Sequence, residues 1–372
     1  MKTYRVGVVG CGGIAQVHGA VLRDLEGVEL IACADIRRER AEDFAQKYGG
    51  RAYDSMEAML EAEDLDAVHL CTPHYLHTPM AKLAAGRGIH VFTEKPPVIS
   101  WDQWREFQEL EKAPGRVGVC FQNRYNKSVL MVETLLATGQ AGRVLGARAF
   151  VTWHREAPYY TESGWRGSLE TEGGGVLINQ SIHTLDLLVR FLGKPTQVEA
   201  TMTNHHLRGV IEVEDTMEAY LTFGDVHALF YATTAHCVDS PVLIELECEK
   251  VTIRMEEGEL HLAWKDGTRQ DFSLVPPKSP ATGKAYWGAS HGLCIRDFYQ
   301  SLRKNLPFLN SISGVRDTVE LMLETYVRAR TEQVAPGGGG ETPRLIERKK
   351  HVRAGGCTPG DSRPGAAAKR RA

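Results

Sequence analysis

Short apolar runs rich in β-branched residues alternate with amphipathic stretches through the first third of the chain. The runs occupy residues 5–9, 28–34, 67–71, 89–92 and 116–121, and helical spacing of apolar positions occupies 39–48, 55–62, 78–85 and 101–111. Strands alternating with helices imply βαβ units and a parallel sheet covered on both faces. The pattern predicts a doubly wound α/β domain over residues 1–124. Beyond about residue 145 the rhythm changes. Strand-like stretches at 147–153, 197–203, 217–223, 228–233, 242–246, 250–255 and 259–263 are separated by turn residues, as in an antiparallel meander. Helical patterns at 175–191, 291–304 and 314–331 accompany them. An α+β domain with a large, mostly antiparallel open sheet is expected over residues 125–335. From Gly337 the periodicity is lost and Gly, Pro, Ala and Arg dominate, which predicts a disordered basic tail over 336–372.

At 372 residues the chain is long enough for two domains, each with its own core. The net charge of -3 argues against nucleic acid or an anionic membrane as the main partner. The tail carries nine Lys/Arg against three Asp/Glu, which leaves 35 against 44 in the rest, so the basic character is confined to the end. None of the eight cysteines forms a CxxC pair, and several lie inside apolar runs, as free thiols of a reducing compartment do. The first strand begins almost at Met1, and no apolar run approaches the roughly 20 residues that span a bilayer. A cytoplasmic location is expected.

Directly after the first strand, Gly10, Cys11, Gly12, Gly13, Ile14 and Ala15 form a G-x-G-x-x-A turn opening a helix. Gly10 permits the tight turn, Gly12 lets the backbone approach a pyrophosphate, and the small Ala15 allows the helix to pack on the strand. The unpaired N–H groups of the helix start suit phosphate. Asp35 ends the second strand at the distance where a carboxylate accepts the ribose hydroxyls, followed by Ile36. Together these features describe a Rossmann dinucleotide site. Asp35 favours NAD, while Arg37, Arg38 and Arg40 keep NADP open.

Lys95 follows a strand at the carboxyl edge of the sheet, where its ammonium can hydrogen-bond a reacting hydroxyl and stabilise a developing alkoxide. The bland alternative is a surface lysine before a turn, which Pro96 and Pro97 would suit. Further on, Asn179 and His183 are spaced to share one helix face, with Asp186 three residues later. Imidazole is the natural proton acceptor near neutral pH, and a neighbouring carboxylate or amide can set its tautomer. A lone helical histidine is more often a packed core residue. The histidines, including His205 and His206, make no convincing metal-ligand spacing, so no metal is assigned.

Glu94, Lys95 and Pro96, with the glycine turn before them and the segment from Gly173 to Asp186 after them, resemble the Gfo/Idh/MocA oxidoreductase family. The resemblance runs from about Tyr4 to Gln333. It implies NAD(P)-dependent hydride transfer at a secondary alcohol or ketone of a sugar, sugar derivative or polyol, with His183 as acid/base and Lys95 assisting. It also implies a frequently cis peptide before Pro96. Many relatives carry Asp where Asn179 stands, and asparagine can orient a hydroxyl but cannot take a proton.

With the cofactor the resemblance associates Glu94, Thr72, Pro73, His74, His77, Gln122, Trp165, Arg166 and Tyr286. Trp165, Arg124 and Tyr125 are placed around the substrate, with bracing or packing as the other reading of each. A glycosidase that retains NAD and works by transient oxidation and elimination is one alternative function. A non-catalytic nucleotide-sensing regulator is another. An open second sheet would expose a broad face, so a homodimer or homotetramer through it is expected.

Overall fold

The computed structural model describes residues 2–256, 258–274 and 290–331. Its first sheet grows from β1 (Tyr4–Val9), α1 (Gly13–Arg23), β2 (Val28–Ala34), α2 (Arg38–Tyr48), β3 (Arg51–Tyr53), α3 (Met56–Ala62), β4 (Ala67–Leu70), α4 (His77–Gly86), β5 (His90–Thr93), α5 (Trp101–Glu109) and β6 (Val117–Val119). Strand order is β3-β2-β1-β4-β5-β6 with every pairing parallel. The order reverses between β1 and β4, and in such sheets the crevice at the strand ends beside the reversal is where ligands bind.

Both faces are covered, as the continuous apolar strands require. Met56, Met59, Ala81, Ala84, Trp104 and Phe107 cover one face. Ala15, Leu22 and Phe44 cover the other.

The remaining elements are α6 (Lys127–Ala137), β7 (Val144–Thr152), α7 (Ala157–Thr161), α8 (Ile182–Leu192), β8 (Gln197–Thr203), β9 (Thr216–Phe223), β10 (Val226–Thr233), β11 (Leu243–Cys248), β12 (Val251–Glu256), β13 (Glu259–Trp264), β14 (Arg269–Ser273), α9 (His291–Lys304), α10 (Ile312–Arg328) and β15 (Ala329–Thr331). Among the described residues they form a nine-stranded sheet, order β14-β13-β12-β11-β7-β10-β9-β8-β15. Only β7 with β10 and β8 with β15 pair in parallel.

Alternation in β9 and β10 buries Met217, Leu221, Ala228 and Phe230 toward the helices. The opposite face leaves Tyr220 and Leu229 exposed.

Three features depart from the periodicity. The strands β3, β14 and β15 are short or polar and lie at sheet edges, so they carry little apolar signal. The helical pattern ending at 331 stops at Arg328, where the chain turns extended to pair with β8. Finally, α9 returns to the first sheet and packs Ile295, Phe298 and Tyr299 against Val6, Val8 and Phe92. The expected tail and Tyr286 lie outside the described residues.

Candidate active site

The glycine turn joins β1 to α1. Gly10 has φ +83, and a Cβ there would meet the Cys71 carbonyl oxygen at 2.7 Å, so only glycine passes between the two strand ends. A Cβ on Gly12 or Gly13 would meet no atom within 4 Å, so the space above the helix start is open. No side chain caps α1, whose first N–H groups therefore remain available to an anion.

Asp35 braces the turn by accepting from Cys11 N at 2.8 Å through Oδ2 and from Arg37 N at 2.8 Å through Oδ1. Each oxygen keeps a lone pair for a ribose hydroxyl. Ile36 is 92% exposed beside it, an apolar face suited to a flat base. Arg37 and Arg40 are exposed at the start of α2, whereas Arg38 is paired with Glu42 and Asp54. Open cradle, donors, carboxylate and apolar shelf fit a dinucleotide.

Lys95 follows β5, and its peptide to Pro96 is cis. Its half-buried ammonium donates to the Asn179 carbonyl at 2.8 Å. Burial, reinforced by the positive charge of Arg166, holds the Lys95 pKa below its usual value despite the nearby Glu94.

Glu94 is buried, and both oxygens of its carboxylate have partners within the protein. Its Oε1 lies 2.9 Å from His18 Nε2, and its Oε2 accepts from Lys95 N at 3.3 Å. Burial alone would raise this carboxyl, but the His18 hydrogen bond and charge hold it far below the usual range. From His18 the contacts continue to His69 at 2.8 Å and from there to Tyr299 Oη at 2.9 Å. His18, Glu94 and Cys120 present ligating atoms close together. Both His18 nitrogens are already engaged, so the trio reads as a hydrogen-bonded cluster.

The approach to His183 is built by the glycine triplet. A Cβ on Gly173, Gly174 or Gly175 would collide with Ile99, Tyr326 or the Glu214 carbonyl, so glycine lets this strap pass under its neighbours. Buried Glu214 then accepts from Gly175 N at 2.8 Å, Leu177 N at 3.0 Å and Tyr326 Oη at 2.9 Å, capping the helical start.

The first turn is wide, Leu177–Ser181, before α8 begins. Such wide turns recur at functional sites. Asn179 lies within it and His183 beyond it, so the two do not share a face of one regular α-helix as the spacing suggested.

His183 Nε2 lies 3.2 Å from the Gln122 carboxamide nitrogen. Its Nδ1 is buried without a partner among the described residues. Burial first, and the Lys95 charge second, hold the imidazole well below its usual pKa, so it is neutral at pH 7.

Asp186 does not reach His183. Arg124 grips it with Nε at 2.9 Å and Nη2 at 2.5 Å, and Thr318 Oγ1 adds a donor at 2.6 Å. Arg124 is 2% exposed and also donates to Gly314 O at 2.9 Å, which corrects its substrate-lining role to a brace between α8 and α10. Tyr125 likewise spends its hydroxyl on Asp297 at 2.7 Å.

In the loop after β4, Thr72 and Pro73 are half-buried and His74 Nδ1 contacts Glu172 O at 2.9 Å. Both nitrogens of His77 face backbone carbonyls, of Pro96 at 2.6 Å and Thr72 at 2.8 Å, leaving no polar atom for a ligand. Trp165 packs edgewise on His74 at 4.6 Å, and Arg166 lies over the rings of Tyr159 at 4.4 Å and Trp165 at 4.8 Å.

Sequence reasoning missed Glu172. It is fully buried, accepts from Gly167 N at 2.5 Å and takes a short hydrogen bond from Asn179 Nδ2. Its place directly before the glycine triplet was the available signal.

Residues 4–121 match the model of an oxidoreductase family with an NAD-binding Rossmann fold, and residues 129–254 match the GFO/IDH/MocA C-terminal domain. The D-glucoside 3-dehydrogenase of Escherichia coli is 34% identical over 51% of this chain and 54% of its own length. The chain spans about half the length of that relative and of the glucose-6-phosphate 3-dehydrogenase of Bacillus subtilis. The 1,5-anhydro-D-fructose reductase of Ensifer adhaerens is 27% identical over 78% of this chain and 95% of its own. The WlbA dehydrogenase of Bordetella pertussis, solved with NADH and UDP-GlcNAcA, superposes with a TM-score of 0.76 at 26% identity, covering 88% of this chain and 97% of that one. The chain belongs to the Gfo/Idh/MocA family of oxidoreductases.

Proposed function

We propose that the protein is an NAD-dependent dehydrogenase or reductase acting on a secondary alcohol, or the matching ketone, of a sugar or polyol. The observation that carries this reading is the meeting of Lys95 and Asn179. The ammonium of one domain seats on a carbonyl just before the helix that bears His183, at the sheet edge beside the open glycine turn.

Gly10, Gly12, Gly13, Ile14, Ala15, Asp35 and Ile36 would hold the dinucleotide, with Thr72, Pro73, His74, Trp165 and Arg166 along its nicotinamide side. The bound nicotinamide supplies the hydride acceptor. Lys95 donates a hydrogen bond to the reacting oxygen and stabilises its negative charge. Neutral His183, whose Nε2 lies beside the Gln122 carboxamide, takes the hydroxyl proton. Asp35 supports NAD over NADP because its carboxylate repels a 2′-phosphate.

The relatives named for D-glucosides and 1,5-anhydro-D-fructose support a sugar ring as substrate. No feature of the site favours a glycosidase or a sensor. Reduction of NAD with methyl β-D-glucoside or myo-inositol, or oxidation of NADH with 1,5-anhydro-D-fructose, is the expected result. Cofactor binding without turnover on this panel would contradict the reading.

The exposed sheet face with Phe150, Tyr220, Leu229 and Tyr231 supports a homodimer or homotetramer. A monomer by light scattering at micromolar concentration would count against it.

A further inference from the structure

We propose that Glu172 is a positioning residue that fixes the Asn179 carboxamide with its oxygen free to accept, so that the pocket beside Lys95 selects a substrate hydroxyl acting as donor. The inference rests on the sugar or polyol reading above.

A free carboxamide presents donors and an acceptor, and which of them meets a ligand depends on how the group is turned. Here a carboxylate settles it. When ionised, Glu172 Oε1 can only accept, and the atom against it is Asn179 Nδ2. The other Glu172 oxygen is fixed by Gly167 N at 2.5 Å, and its backbone carbonyl by His74 at 2.9 Å, so the carboxylate cannot swing away.

On the far side, Asn179 is tethered through its own carbonyl to Lys95 Nζ at 2.8 Å. Among the described residues no donor meets Asn179 Oδ1, and the residue is half-buried, not sealed. With Nδ2 held by Glu172 and the backbone carbonyl seating Lys95, Oδ1 is the Asn179 atom left to accept from a ligand beside Lys95. A carboxylate at position 179 would offer the same polarity, with an added charge.

The arrangement depends on Glu172 being ionised. Burial raises its pKa to about 7, against the opposing pull of Gly167 N–H, Asn179 and the Arg166 charge, while Glu214 pushes it further up. Lys95, Tyr160 and Tyr326 also face it. Once protonated, Glu172 can donate to Asn179 Oδ1, and the amide is free to turn its N–H groups toward the substrate. Acceptor character at the subsite is therefore present above the Glu172 pKa and lost as pH falls through it.

Two measurements on the full chain test this. The first needs no substrate. An infrared difference titration from about pH 5 to about pH 9 should show a protonated-carboxyl band in wild type that Glu172→Gln lacks. Asn179→Ala, which removes a donor to the carboxylate, should move its midpoint up by about 0.5–1 unit. A midpoint indifferent to position 179, or no such band, overturns the proposal.

The second is steady-state kinetics with methyl β-D-glucoside and NAD. Glu172→Gln should raise the sugar KM roughly 10-fold, leave the NAD KM within about twofold, and abolish the acid limb near neutrality. The exchanged pair Glu172→Gln with Asn179→Asp, in which the new amide donates to the new carboxylate, should recover most of the loss. A double variant no better than the single one overturns the proposal. If wild type turns over no panel sugar, the functional reading fails, and the infrared arm still decides this inference.

Discussion

Half-buried His183 and fully buried Arg124 answer substitution in opposite ways. His183→Asn keeps a polar, hydrogen-bonding side chain but cannot take the proton. It should cut kcat roughly 10²–10⁴-fold with NADH affinity, read by fluorescence, within about twofold. Arg124→Ala instead strands Asp186, an uncompensated carboxylate in the core, and should lower stability by about 3–5 kcal/mol in denaturant unfolding.

Lys95 and His183 were legible as candidates because each sits in a local pattern that fixes its place on a strand end or helix. Arg124 was legible only with lining and bracing both open, because the partners that make it a brace, Asn310 and Gly314, lie nearly 190 residues away and leave no trace in its own segment. Glu172 was missed for a similar reason. Its role arises from Gly167, Asn179 and His74, which meet only in the folded chain.

At the scale of an element, the turn between β1 and α1 separates packing from binding within three residues. Gly10→Ala forces a side chain into positive φ against the Cys71 carbonyl and should cost roughly 1–3 kcal/mol of stability. Gly12→Ala meets nothing in the protein. It should leave Tm within about 1 °C while weakening NADH at least roughly 10-fold, because its methyl occupies the space over the helix start. Equal destabilisation of the two variants, or undiminished NADH binding by Gly12→Ala, would refute this division.

The doubly wound sheet was legible for the same reason the turn was: continuous apolar strands demand cover on both faces. What covers one face was not legible, since α9 comes from the far end of the chain. The wide turn at Leu177–Ser181 also escaped, because a one-residue expansion of a helix leaves its apolar pattern nearly intact.

Across the whole molecule, buried histidines dominate the pH dependence of stability. Burial first holds His69, His74, His77, His183 and His291 below their usual pKa, His291 at about 4. As pH falls through 6.5 the unfolded chain takes up protons that the folded one refuses, so stability is lost from that point down to the folded values. Glu172 and Glu214, raised by burial, act in the opposite sense but are fewer. His18 is raised to about 10: burial opposes its charge, and Cys71 and Glu94 outweigh burial. Its contribution is complete below 6.5 and fades only as pH climbs toward 10. Tm should therefore be highest near neutrality and fall by about 5 °C or more on going to about pH 5. A Tm that holds or rises over that interval would contradict the account.

The central claim is that Lys95 and His183 together carry hydride transfer on a sugar hydroxyl. Its most direct test follows the absorbance of reduced nicotinamide when wild type, Lys95→Ala and His183→Asn are each mixed with NAD and methyl β-D-glucoside or myo-inositol. The account predicts NADH formation by wild type, and rates at least roughly 100-fold lower in each variant despite intact NADH binding. Turnover at the wild-type rate by either variant would contradict it.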